Sequence, residues 1–256
     1  MSLLQVIILG IVEGVTEFLP ISSTGHLILS ARVMRLAQTE FLKSFDIAIQ
    51  SGAILAVVVL YGRALIKDSQ LIRRVLAAFV PTAAVGFVFY KLIKKFLLGN
   101  PLVVAWALVL GGIVIVVFEK LYQRRPHPDA RPEGISYRQA LLIGLFQSLA
   151  VVPGVSRSAA TILGGLSLGL PRRTIVEFSF LLAVPTMLAA TAYDLMKTAP
   201  AFTSAELGLL AAGFVISFGV ALASIKFLLY FIKRFSFELF GYYRIAIGIL
   251  FLVFSG

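Results

Sequence analysis

The sequence predicts an all-α polytopic membrane protein in which six transmembrane helices and two re-entrant broken-helix segments form an inverted-topology repeat. Three observations carry that expectation. Of 256 residues, 59% are hydrophobic and only 14% are charged, against about 25% charged in an ordinary globular domain. Apolar runs long enough to cross the hydrocarbon layer cover 45–62, 75–90, 101–118, 174–193, 206–225 and 239–254. The chain also matches itself, since a shift of 134 positions lays Gln5 on Gln139, Gly10 on Gly144, Glu13 on Gln147 and Ser22 on Ser156.

The later landmarks follow at a slightly longer shift, where "AWALVLGGIVIVVF" (105–118) echoes "GYYRIAIGILFLVF" (241–254). Each half, 1–122 and 135–256, is expected to hold one interrupted segment and then three spans. An odd number of spans turns the second half over relative to the first, the arrangement in which broken helices meet near mid-membrane. Between the halves lies the polar loop 123–134, "QRRPHPDARPEG", rich in Pro and charge. It reads as a solvated linker, His127 included. The whole chain is expected to be one integral membrane domain, because neither half could bury its polar motif alone.

Cysteine is absent, which excludes a disulfide framework and thiol chemistry. The formal charge of +11 reads as topology and not as a nucleic-acid footprint. With the six runs spanning, fourteen Lys and Arg fall on one side, among them Arg63, Arg73, Arg124, Arg172 and Arg234, and seven on the other, including Arg32, Lys43 and Lys197. The richer side is cytoplasmic by the positive-inside rule, with both termini outside, although Lys91, Lys94 and Lys95 run against it. No basic leader precedes the first apolar stretch, so insertion is expected through the spans themselves. Asp46, Glu177 and Asp194 fall near span ends, Trp106, Tyr242 and Tyr243 read as interface anchors, and Arg244 is expected to snorkel.

Two stretches break the apolar pattern. In "EGVTEFLPISSTGH" (13–26), Glu13 and Glu17 are four apart and share one helix face. Two carboxylates side by side in low dielectric require a shared proton or a cation, and a divalent metal is the natural partner. Pro20 ends that helix, and Ser22, Ser23 and Thr24 are N-cap residues for a new one running toward His26. In "VVPGVSRSAAT" (151–161), Pro153 and Gly154 break the helix, Ser156 and Ser158 open another, and Arg157 adds a fixed positive fork, with Thr161 one turn on. Free helix amides, hydroxyls and an arginine make a phosphate site in general physical terms. Each element also has a plainer role: the glutamates can form a structural ion pair with Arg157, the hydroxyls can satisfy backbone groups, and His26 can be a core histidine. The coincidence of both clusters at repeat-equivalent positions favours a joint site, with Gln50 as a further candidate in its wall.

These two motifs closely resemble the signatures of the undecaprenyl-diphosphate phosphatase family, the bacitracin-resistance type called UppP or BacA, and the resemblance covers essentially the whole chain. Ala159 is a departure, standing where many members have glycine. The resemblance implies a multi-pass enzyme of the bacterial inner membrane that hydrolyses undecaprenyl diphosphate to the monophosphate carrier used in peptidoglycan synthesis. It implies a divalent cation, Mg2+ or Ca2+, and an active site open to the periplasm or outer leaflet. By motif position, Glu13 and Glu17 match the acidic pair, Ser22, Ser23 and His26 the polar run, and Ser156, Arg157, Ser158 and Thr161 the second motif. Its partners would be the prenyl diphosphate lipid and membrane lipids, without nucleic acid; a homodimer is compatible but unspecified.

Joining both readings gives a scheme in which Glu13 and Glu17 hold the metal, Arg157 stabilises the transferred phosphoryl group, and Ser23 is the nucleophile with His26 as its acid or base. A metal-bound water attacking directly is the competing scheme. Ser22, Thr24, Ser156, Ser158, Thr161 and Gln50 would contact substrate. The rival from another class is a polyprenyl-phosphate transporter or flippase, which inverted repeats with broken helices also suit. A histidine-dependent acid-phosphatase type ranks last, because its separated motifs are missing.

Overall fold

Ser2 and Ser136 open two helices with the same device, 134 positions apart. In each, the serine Oγ accepts from the amide of the glutamine three residues on, and that glutamine's Oε1 accepts from the serine amide: 3.3 and 2.8 Å at Ser2 and Gln5, 3.2 and 3.0 Å at Ser136 and Gln139. The reciprocal pair satisfies two amides that a helix start would leave without partners. The computed structural model describes residues 1–89, 101–122, 132–197 and 202–255. Lys91, Lys94, Lys95 and most of the expected linker, His127 included, lie outside the described residues.

The described chain is helical, with no strand among the described residues. Helix α1 (Leu3–Thr16) and α2 (Ser23–Val33) flank the first break, followed by α3 (Glu40–Lys67), α4 (Ser69–Val88) and α5 (Pro101–Leu121). The second half runs in the same order: α6 (Tyr137–Ser148), a short 3-10 turn (Leu149–Val151), α7 (Arg157–Ser167), α8 (Arg172–Lys197), α9 (Ser204–Phe231) and α10 (Glu238–Ser255). Five helices of 20 to 28 residues, drawn from α3, α4, α5, α8 and α9, are long and apolar enough to cross a membrane. Their outer faces stay apolar and uncovered, as at Val80, Phe87, Val114 and Val215. With that many such helices the chain is a multi-pass membrane protein. The apolar run 239–254, expected as a sixth span, falls in α10, which has 18 residues packed along α5 and is not among those five.

The two halves interlock. Helix α1 packs on α9 and α6 packs on α4, so the first helix of each half rests on a helix of the other. Glycine at the matching place permits both contacts: a Cβ on Gly10 would press on Ile216 and the Gly213 carbonyl at 3.1–3.2 Å, and one on Gly144 would collide with the Ala78 carbonyl. Small residues are what allow such close approach where no water drives apolar burial. The core encloses the breaks, with Phe18 edge-on to Phe180 at 5.4 Å and Ile21, Leu181 and Ala53 around them.

Arg244 does not snorkel. Its side chain is fully buried in α10, where it meets backbone carbonyls of α5 and of both breaks. Trp106, Tyr242 and Tyr243 are exposed.

Candidate active site

The break after α1 begins at Glu17, whose amide still bonds to the Glu13 carbonyl at 2.9 Å. Five residues later Ser22 adopts φ 72°, and its Oγ accepts from the Gly25 amide at 3.4 Å, which opens α2. The second break repeats the geometry: Ser156 has φ 77°, and its Oγ accepts from the Ala159 amide at 3.2 Å to open α7. A serine in this region of backbone space is strained by about 1–3 kcal/mol and persists only where its surroundings over-determine it. Here both strained caps and the first turns they open line one cavity.

Between them sits a cavity of about 290 Å³, lined by Glu17, Ser22, Ser23, Thr24, Gln50, Ser156 and Arg157. That volume is near the lower end of the range for small-molecule sites, about 300–1,000 Å³. In the cavity wall Ser23 Oγ donates to Glu17 Oε2 at 2.5 Å, and Arg157 Nη2 donates to Glu17 Oε1 at 3.2 Å. Arg157 is anchored from behind, with Nη1 donating to the Ser179 carbonyl at 2.8 Å. The ion pair read as the plainer alternative for the glutamates is therefore present, and it lines the cavity. A hydroxyl held on a carboxylate beside a guanidinium is equipped to be deprotonated and to attack an anionic centre.

The other sequence-selected residues occupy different stations. His26 is not within the pair: its Nδ1 bonds to the Ser22 carbonyl and its Nε2 to the Tyr243 hydroxyl, both at 2.8 Å. Glu17, and not His26, is the side chain hydrogen-bonded to Ser23, while the imidazole reaches Tyr243 of α10. Ser158 donates to the Leu19 carbonyl at 2.8 Å and ties the two breaks directly. Thr161 donates to the Arg157 carbonyl at 2.7 Å and is wholly buried behind the wall. Glu13 is buried behind Glu17, and neither of its oxygens has a hydrogen-bond partner. Among the described residues no group of three or more His, Cys, Asp or Glu forms a metal-type cluster.

Three polar wall residues escaped the sequence reading of the site. Gln147 Nε2 donates to the hydroxyls of Thr82 at 2.9 Å and Thr186 at 3.1 Å, and all three line the cavity. Two signals marked them: Gln147 is the repeat partner of Glu13, and both threonines follow a proline inside an apolar helix, as "VPT" at 80–82 and 184–186.

Fold and site together define a helical, multi-pass membrane protein whose polar centre is built where two helix breaks meet. The chain belongs to the family described as bacitracin resistance protein BacA, whose model matches residues 6–250. It is 51% identical to an undecaprenyl-diphosphatase of Aquifex aeolicus over 251 residues, covering 98% of this chain and 97% of the relative. It is 50% identical to the protein of that name from Persephonella marina, covering 99% of both chains, and 49% identical to the one from Wolinella succinogenes, covering 98% of both.

Proposed function

We propose that this chain hydrolyses undecaprenyl diphosphate to undecaprenyl phosphate and inorganic phosphate, recycling a lipid carrier for peptidoglycan synthesis and so conferring bacitracin resistance. The observation that carries the reading is the Ser23–Glu17–Arg157 constellation at the meeting of the two breaks. The reading agrees with relatives of that name at about half identity over nearly the full chain. A transporter needs to bind phosphate but has no use for a serine hydroxyl poised on a carboxylate, so the hydrolase reading is the stronger one.

In this mechanism Glu17 takes the proton of Ser23 as Oγ attacks the terminal phosphorus. The bond from that phosphorus to the bridging oxygen breaks, undecaprenyl phosphate departs, and Glu17 returns the proton to it. Arg157 and the first amides of α2 and α7 offset charge on the equatorial oxygens. Water then cleaves the phosphoserine with Glu17 again as base, releasing phosphate and restoring Ser23. Attack by water without the serine intermediate is the competing scheme, and trapping of phosphate on Ser23 separates them. Gln50, Ser22, Thr24 and Ser156 would hold the head group, while the prenyl tail lies among apolar helix faces.

Glu13 and Glu17 fit a divalent cation such as Mg2+ or Ca2+. A buried carboxylate without partners asks for a counter-charge, and Mg2+ is commonly held by one or two carboxylates plus substrate phosphates. When bound, the cation would neutralise the diphosphate and polarise its oxygens.

On this reading α10 is the sixth span, α1–α2 and α6–α7 are the re-entrant segments, and 1–122 and 135–256 are inverted halves of one domain. The inner membrane, with the cavity open to the periplasm or outer leaflet, follows from the charge bias and from the carrier's use. The deciding experiment is phosphate release from a long-chain prenyl diphosphate by purified, detergent-solubilised protein, with Mg2+ or Ca2+ and with EDTA. Metal-dependent release, lost in Glu17→Gln and in Arg157→Ala, is expected. Folded wild type that binds the lipid yet releases no phosphate would overturn the reading in favour of a transporter.

A further inference from the structure

Arg244 is the largest fully buried side chain among the described residues, and it makes no ion pair among them. Instead its guanidinium is spent on backbone. Nη1 donates to the carbonyls of Pro20 at 3.3 Å and Val155 at 2.9 Å, Nη2 to those of Ala107 at 3.0 Å and Gly154 at 2.9 Å, and Nε makes a long bond to Leu108 at 3.5 Å. Pro20 belongs to the first break, Gly154 and Val155 to the second, and the other two to α5. Helix breaks inside a membrane leave carbonyls that must find donors. One planar fork of five N–H groups supplies them to both breaks at once, which a lysine ammonium, with three donors on a single atom, cannot reproduce.

The room for this fork is also specified. Gly111 on α5 leaves space that a Cβ would take from the guanidinium itself. The repeat makes the asymmetry plain, because the position matching Arg244 in the first half is Leu108. A single cation therefore serves two breaks.

We propose that Arg244 is a positioning residue, tying the carbonyls that precede the strained caps Ser22 and Ser156 and thereby setting the approach of Glu17 and Ser23 to Arg157. It does not touch the reacting atoms. The proposal rests on the phosphatase reading for its kinetic consequence, and on the structure alone for its geometric one. A misplacement of about 1 Å in a catalytic constellation can cost about a hundredfold in rate.

The test compares wild type, Arg244→Lys and Gly111→Ala, with Gly219→Ala, where an added methyl meets nothing within 4 Å, as the control. Two readouts are taken on monodisperse protein. The first is kcat and KM on a long-chain prenyl diphosphate. The second is the distance distribution between spin labels on cysteines introduced at Val15 and Leu149, exposed residues beside the two breaks and outside the cavity wall, in a chain with no cysteine of its own. Expected are a kcat lower by about a hundredfold with KM unchanged, and a broadened distance, in both Arg244→Lys and Gly111→Ala but not in Gly219→Ala. Gly111→Ala keeps the arginine and every polar side chain, so it answers if Arg244→Lys fails to fold. An unbroadened distance in the folded variants overturns the proposal whatever the rate, and so does a raised KM with kcat intact. Absence of hydrolysis by wild type would sink the phosphatase reading instead, leaving the distance measurement to decide the tie between the breaks.

Discussion

Ser23 Oγ donates to Glu17 Oε2 across 2.5 Å, although a helix end, a proline and a strained cap separate the two residues along the chain. That short charge-assisted bond makes Glu17 the base nearest the hydroxyl. Glu17→Gln should therefore lower kcat by about 10²–10⁴-fold, the usual worth of a positioned general base, with substrate still bound. Ser23→Ala should be comparably slow and should yield no phosphoserine. Quenched-flow trapping followed by mass spectrometry reads both, and full activity in Ser23→Ala would leave water as the attacking group.

Arg157 has a rear anchor on Ser179 and a forward contact on Glu17 at 3.2 Å. A lysine cannot hold a backbone carbonyl and a carboxylate with one planar fork. Arg157→Lys should keep the fold yet lose about 10²–10³-fold in kcat, the scale for removing one donor to developing negative charge. Steady-state kinetics beside a thermal melt will check this, and a change confined to KM would assign Arg157 to ground-state binding alone.

His26 spends both ring nitrogens on Ser22 and Tyr243, so its effect on rate should pass through the α2–α10 contact. In a double-mutant cycle, His26→Ala and Tyr243→Phe should be non-additive by about 0.5–1.5 kcal/mol, the net worth of one hydrogen bond. Additive effects on melting and on rate would break that link.

The matched helix starts and breaks were legible in the sequence because they are written in residues with backbone duties. Gln5 and Gln139 close matching capping boxes, and Ser22 and Ser156 share a rare backbone conformation. The meeting of Glu17 with Arg157 followed from the same symmetry. The partner of His26 did not, because its spacing from Ser23 says nothing about which distant helix α2 lies against, and Tyr243 is 217 positions away. Arg244 misled for a related reason: composition says that a cation in an apolar run is costly, and only packing reveals that helix breaks supply it with carbonyls. Thr82, Thr186 and Gln147 are ordinary residues until Pro81 and Pro185 are seen to fall within helices that face the cavity.

Glu13 is wholly buried with both carboxylate oxygens unpartnered, one turn below Glu17. If it helps hold a divalent cation, Glu13→Gln should raise the Mg2+ or Ca2+ concentration needed for half-maximal phosphate release by tenfold or more, about 1.4 kcal/mol or more in binding. Chelation should abolish release in wild type and be reversed by added metal. An unchanged metal dependence in folded Glu13→Gln would remove this carboxylate from the metal site.

Away from the cavity, Arg172 grips Glu119 with two bonds of 2.5 Å, and Glu119 Oε1 also accepts from the Phe237 amide at 3.2 Å. The pair joins α5, the start of α8 and the turn before α10, with the guanidinium 5.3 Å from the Phe237 ring centre. Both side chains are largely buried, at 15% and 2% exposure, so solvent screens the pair little. Removing one partner strands the other, and Glu119→Ala should cost about 3–5 kcal/mol. A matched replacement of both residues by apolar ones should recover much of that loss, because the penalty lies in the orphaned charge more than in the missing attraction. Unfolding of the detergent-solubilised protein measures each step. Since neither residue lines the cavity, kcat per folded molecule should stay at the wild-type value in Glu119→Ala, and a fall in kcat without a fall in stability would assign the pair to catalysis instead.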